Sequence, residues 1–360
     1  MYGVASCDLV RSGRVVLRVN GTDQKKHFHI HEITTFHALR LFLAKNMISL
    51  FANAAVTALL ATYRHPLNIY IEDTDAYKVV FYSNYFRFAE RAAHAAIGAS
   101  TIGSALRPVD GEAPLLLGLQ SANGIKYAAA AQLGDSCEME VNLQGLDSKG
   151  RLAMKAVLIR EDGKELWSAS DLRFGFHKPE SGRRQDSWPL DGDAALSATA
   201  PGLAWEEEAL PEAPDRSRSP QLVPSGLRLQ ADEASAAGTV DLHAVLRYFE
   251  RHRTTFLGGP SALESLMVLA GVNVVVGRIN NLQLLPEAHT VGVGEPLEVR
   301  CDMRLKARGS QVIFDQWLVH GDTAEVLARG EVTCLLIDPV AGKIVPAPED
   351  ILDQVKPWIL

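Results

Sequence analysis

A chain of 360 residues, 47% apolar and 22% charged, has material for two buried cores and the profile of a globular protein. Its net charge of −7, without a basic run to track a phosphate backbone, speaks against nucleic-acid binding and against a strongly acidic protein partner. The four cysteines (Cys7, Cys137, Cys301, Cys334) are scattered without a CxxC pair, which fits thiols used as small core hydrophobes in a reducing, cytoplasmic compartment.

The amino-terminal stretch shows neither the charged start nor the apolar run of a signal peptide. Residues 15–19 read as a strand closed by an Asn20-Gly21 turn, and 26–33 as another. His27, His29 and His31 alternate along the second strand and would share one face, but no cysteine or carboxylate spacing supports a metal site, so none is expected. Thr34 or Thr35 would cap a long helix to Tyr63, ended by Pro66. Within it, 47–63 carries no charge over 17 residues; that is short of the roughly 20 apolar residues of a membrane span, so a buried or dimer-forming helix is expected.

From there, 67–72 alternates as a strand. Residues 80–97 bring Phe81, Tyr85, Phe88, Ala92 and Ala96 to helical spacing, with Gly98 as the stop. Strand-like runs follow at 115–120, 126–132, 137–143, 152–160 and 166–176. Proline, serine and charge then dominate 179–225, a linker. Beyond it, 227–230 takes the place of 67–70, a helix is expected over 240–257, and Pro260 favours a short helix to 269. Strands are expected at 272–276, 282–285, 297–305, 311–319 and 328–337, with Asn280-Asn281 as turn chemistry.

The two halves match. Arg87, Glu90, Arg91 and Gly98 fall on Arg247, Glu250, Arg251 and Gly258 at one constant offset of 160, which also carries Gly134-Asp135 onto Gly294-Glu295 and Glu138 onto Glu298. Leu115-Leu116-Leu117-Gly118 pairs with Val274-Val275-Val276-Gly277 after a one-residue slip. A tandem duplication follows: an extension (1–65), a first domain (66–178), the linker (179–225) and a second domain (226–350). Each copy reads as a strand, a long central helix and four or five antiparallel strands, an α+β unit. Two such units would pair as a homodimer does, tethered in one chain. Glu90 and Glu250, shared by both copies, are expected to bond across this pseudo-dimer.

The element order, with Glu72-Asp73-Thr74-Asp75, Val79-Val80-Phe81-Tyr82, Asn84-Tyr85 and Ile125-Lys126-Tyr127 followed by Gln132-Leu133-Gly134-Asp135, resembles the hotdog-fold thioesterases of the 4-hydroxybenzoyl-CoA thioesterase family, including acyl-CoA thioesterases. The resemblance covers the first copy closely and the second weakly. It implies a double hotdog that hydrolyses an acyl-CoA or acyl-carrier-protein thioester. It makes Asp75 the catalytic carboxylate, either attacking the carbonyl to give a mixed anhydride or acting as base on water. An N–H at or beside Tyr82, at the start of the helix, would hold the oxyanion.

By the same resemblance Glu90 joins the site as a helix glutamate, and Asp73 is structural. Asn84, Tyr85, Arg91, Lys126 and Tyr127 are the expected substrate contacts, the cations being suited to CoA phosphates. Lys78 stands where the family has glycine, which bears on the loop conformation. Ser235 falls opposite Asp75 in the second copy, so one site is live, one is retired, and the second repeat walls the pocket. No cofactor is expected, since no phosphate-binding glycine loop occurs, and the double-hotdog chains are expected to form a homo-oligomer. Two other readings stay open: a dehydratase or isomerase-like module of fatty-acid or polyketide synthesis, although Thr255 holds the place of the histidine such enzymes need, and a non-catalytic acyl-binding protein.

Overall fold

The computed structural model describes residues 5–10, 14–19, 62–75, 78–99, 116–147, 149, 151–177, 184–185, 212–215, 227–235, 238–349 and 352–353. The chain divides into two units, Met1–Asn53 and Ala54–Leu360. In the first, β1 (Ala5–Val10) and β2 (Arg14–Val19) form an antiparallel pair, with Ala5 opposite Val19 and Val10 opposite Arg14. The expected strand bearing His27, His29 and His31, the apolar helix up to residue 61 and most of the 179–225 linker lie outside the described residues.

The larger unit opens with β3 (Thr62–Asn68), so no helix reaches Tyr63. Pro66 lies inside β3, which among the described strands pairs only with β5 (Ser136–Leu146) and so forms their sheet edge, where a missing N–H is tolerated. The first repeat continues with α1 (Asn84–Ala99), β4 (Leu116–Tyr127), β5, β6 (Leu152–Arg160) and β7 (Glu165–His177), with the two-residue β8 (Arg184–Gln185) paired to β7. The second contributes α2 (Leu242–Phe256), α3 (Pro260–Ala270), β9 (Asn273–Leu284), β10 (Leu297–Lys306), β11 (Gln311–His320), β12 (Val326–Asp338) and the two-residue β13 (Lys343–Ile344) on β12. All these strands join one antiparallel sheet in the order β10-β11-β12-β9-β4-β7-β6-β5-β3. The repeats therefore meet edge to edge, β4 against β9, with Ser121 opposite Gln283 and Lys126 opposite Arg278.

Sequence pattern accounts for these elements. Leu297, Val299, Cys301 and Met303 are buried while Glu298, Arg300 and Asp302 alternate with them, the period-two signature of a strand with one face on a core. Helix α1 buries Tyr85, Phe86, Phe88, Ala89, Ala92 and Ala93 almost completely, as a helix enclosed by a sheet must. Enclosing Phe86 alone is worth on the order of 2 kcal/mol. The helix begins four residues later than its periodicity predicts, because Val79 and Val80 are drawn into bridges with Gln132 and Thr74. Cys137, Cys301 and Cys334 are buried, and burial pushes the Cys137 thiol up to about 11, consistent with inert core cysteines. No described helix is long and apolar enough to cross a membrane.

Two expectations need correction. The runs at 115–120 and 126–132 are the two ends of one strand and its exit, β4, and 272–276 with 282–285 form the single strand β9. Asn280-Asn281 is not a chain reversal. Gly124 (φ 61) and Asn281 (φ 48) are left-handed kinks within β4 and β9, lying between the Ala122–Leu282 and Ile125–Ile279 pairs. Asn123 Oδ1 spans the seam, accepting the N–H groups of Gly124 (2.9 Å) and Asn281 (3.1 Å). These kinks stand 157 residues apart, so the slip in the repeat exceeds one residue. The 3-10 turn Pro286–Thr290 restores the offset by Gly134 (φ 88) and Gly294 (φ 89).

Candidate active site

The loop before α1 is a short closed turn in both repeats. Asp75 N–H donates to Val79 O (2.9 Å) and Lys78 N–H to Asp75 O (3.0 Å); Ser235 and Gly238 make the same two bonds with Thr239 and Ser235, each 2.8 Å. Lys78 adopts φ 61 where Gly238 has φ 75, so the lysine takes up the glycine conformation and the loop shape is kept. Asp73 anchors it. Its buried carboxylate accepts Tyr70 N–H (3.0 Å), and its carbonyl accepts Phe81 N–H (3.1 Å) and Asn84 Nδ2 (2.9 Å). Tyr82 N–H, at the mouth of α1, has no acceptor among the described residues.

Asp75, Phe81 and Asn84 line one side of a cleft of about 390 Å³. The other side is α2 of the second repeat, through His243, Arg247, Glu250 and Arg251. Glu233, the counterpart of Asp73, is buried under this wall, bonding Tyr248 Oη (2.8 Å) and the Arg251 guanidinium. His243 crosses between the repeats: its Nε2 lies 3.1 Å from Asn84 Oδ1. Because Asn84 Nδ2 is committed to the Asp73 carbonyl, its Oδ1 must accept, which places the proton on Nε2 and leaves Nδ1 as an acceptor. Burial, reinforced by Arg87 and Arg247, pushes this imidazole down to about 3, so it stays neutral. Among the described residues no group of three His, Cys, Asp or Glu could hold a metal.

The structure brings only part of the expected set together. Asp75 and Asn84 line the cleft. Tyr82 sits just behind, its ring buried and its hydroxyl reaching into the second repeat, where it donates to Leu246 O and accepts from Arg253 Nη2 (3.0 Å). Burial, partly offset by Arg253, drives its phenol well above the usual range and keeps it protonated. Tyr127 Oη donates to Tyr82 O (2.9 Å), and Tyr85 Oη accepts Ala131 N–H (3.0 Å) while its ring stacks on Trp167; both tyrosines belong to the layer under the loop. Lys126 is exposed, its neighbours Ile125 and Tyr127 packing into the core. Arg91 lies over the Phe88 ring and lines a separate hollow of about 250 Å³ beside β3.

Glu90 does not join Asp75. It accepts Leu119 N–H (3.1 Å) inside its own repeat and feels Asp241, the N-cap of α2; burial, then that carboxylate, pushes it up to about 7. Glu250 stays within its repeat too, paired with Arg253 (2.5 Å), so the shared glutamates do not bond to each other across the pseudo-dimer. The cleft residues that sequence did not assign, Arg87, His243, Arg247, Glu250 and Arg251, come mostly from the degenerate copy. The offset match had marked four of them, but which copy's helix faces which loop is a property of the assembled sheet.

No family model matches the sequence, and no curated protein matches it. Solved structures do. The 12:0-ACP thioesterase from Umbellularia californica aligns with a TM-score of 0.54 at 9% identity, over 77% of this chain and 94% of its own. A protein named as an oleoyl thioesterase, from Lactobacillus plantarum, aligns with a TM-score of 0.50 at 10% identity, over 77% of this chain and 97% of its own. At such identities the likeness is one of fold. With its tandem helix-and-sheet copies joined edge to edge, the chain is a double hotdog.

Proposed function

We propose that this double hotdog hydrolyses an acyl thioester carried on CoA or on a carrier protein, at the cleft between the Asp75 loop and α2. The observation that carries the proposal is a loop aspartate lining a cleft beside Phe81 and Asn84 at the mouth of α1, with the Tyr82 N–H between them making no hydrogen bond among the described residues. Asp75 attacks the carbonyl, or takes a proton from the attacking water, and the Tyr82 N–H receives the oxyanion, aided by the helix dipole. Arg87 of α1 and Arg247 and Arg251 of α2 bring three guanidinium groups to the cleft, groups suited to the phosphate of a pantetheine carrier. Thiol release from short, long and aromatic acyl-CoAs and from acyl-carrier protein tests this: Asp75→Asn is expected to lose at least about 100-fold in rate. Equal rates in variant and wild type would remove Asp75 from the chemistry.

One observation favours a second reading. A hotdog dehydratase requires a histidine facing an acid, and His243 lines the cleft with Asp75. A neutral imidazole held near 3 is too weak a base to take an α-proton at neutral pH, which ranks hydrolysis first. Hydration of an enoyl thioester by the wild type, abolished in His243→Gln, would reverse that ranking.

A further inference from the structure

The repeats are not reciprocal where they grip each other. Arg253 is buried on α2, and its guanidinium reaches three partners at once: Gln316 Oε1 of β11 (2.6 Å), Glu250 Oε2 on the cleft wall (2.5 Å) and the Tyr82 hydroxyl of the first repeat (3.0 Å). It also lies over the Tyr82 ring at 5.4 Å and the Phe314 ring at 5.9 Å. Gln316, fully buried, is itself fixed by donating to Phe249 O (3.1 Å). Tyr82 is thus held at two points: its carbonyl accepts Tyr127 Oη, and its hydroxyl donates to Leu246 O and accepts from Arg253. At the offset of 160, the positions matching Arg253 and Tyr82 are Ala93 and Leu242, both buried and apolar. The second helix holds the first repeat's helix mouth; among the described residues nothing equivalent runs the other way.

A buried arginine is costly to desolvate and is kept where its geometry is needed. We infer that Arg253, supplied by the copy that has lost its aspartate, is a positioning residue for the Tyr82 peptide, and through it for the N–H that receives the oxyanion. This rests on the proposed hydrolysis, which gives that N–H its role. The degenerate repeat then does more than wall the pocket: it sets the aim of the donor.

Two readouts on the full chain test the inference. In protein isotope-labelled at the amide nitrogens of its eight tyrosines, Arg253→Met is expected to move the Tyr82 amide resonance and leave that of Tyr63 on β3 unmoved. In thioester turnover, Tyr82→Phe, which keeps ring and N–H, is expected to lower kcat about tenfold with KM within about twofold, as loosened transition-state geometry should. The double variant should be no slower than the worse single, because both remove one interaction. A Tyr82 amide indifferent to Arg253→Met overturns the inference whatever the activity. So does a double variant whose loss is the product of the two singles, or a loss confined to KM. A wild type that releases no thiol from any ester would instead sink the proposed hydrolysis, with the amide shift still deciding whether Arg253 positions Tyr82.

Discussion

Lys78 holds a left-handed backbone that lysine resists, and the loop it closes is the one bearing Asp75. Lys78→Gly should therefore stabilise the protein by about 0.5–1 kcal/mol, strain relief exceeding the extra entropy of the unfolded glycine. Urea unfolding measures it, and a lower midpoint for the variant would mean that the lysine side chain makes a compensating contact. Glu90 offers a second handle. Its carboxyl is raised from 4.5 to about 7 in the folded chain, chiefly by burial, so the folded state keeps a proton that the unfolded state releases between these values. The group's contribution is then complete below about pH 4.5 and is lost as pH rises toward 7. Glu90→Gln should flatten the fall of Tm over that window and be the more stable protein at pH 8; parallel Tm curves would refute the assignment. At this scale the sequence was most legible in the loop before each long helix, where Asp75 and Ser235, 160 positions apart, close the same turn. It was least legible for His243 and Arg253, whose partners lie 159 and 171 positions away in the first repeat.

Elements were legible wherever one face is buried, which is why β6 and β10–β12 match their patterns closely. They failed at the seam. An Asn-Gly or Asn-Asn pair between apolar runs ordinarily reverses a chain, yet in β4 and β9 a neighbouring strand lies on each side and keeps the backbone extended through the kink. Gly124 is tightly specified there: a Cβ would sit 2.0 Å from Ser170 Oγ, on a backbone at φ +61. Gly124→Ala should cost about 2 kcal/mol or more, measured by chemical denaturation. A neutral result would mean that the seam relaxes more freely than its hydrogen bonds imply.

Across the whole molecule, the repeats are joined by a strand pair, the Asn123 bond, the His243–Asn84 bond and the Tyr82–Arg253 contact, all independent of the covalent link between them. A protease site introduced near residue 195 and cut should leave two fragments that co-elute on size exclusion and keep whatever turnover the intact chain has. Separation at micromolar concentration would show that the link itself supplies the cohesion. Duplication was legible from the offset, but the way the copies divide their labour was not, because Ala93 and Leu242 carry no signal until seen opposite Arg253 and Tyr82.

That division has a consequence for how such a chain can change. In a symmetric dimer every substitution is made twice, so an arginine placed in the core would be desolvated at two places and its benefit would have to outweigh both. Joined in tandem, the same helix position can be alanine in one copy and arginine in the other. Fusion halves the dose of any costly residue, and Arg253 is the kind of residue that only a single dose makes tolerable.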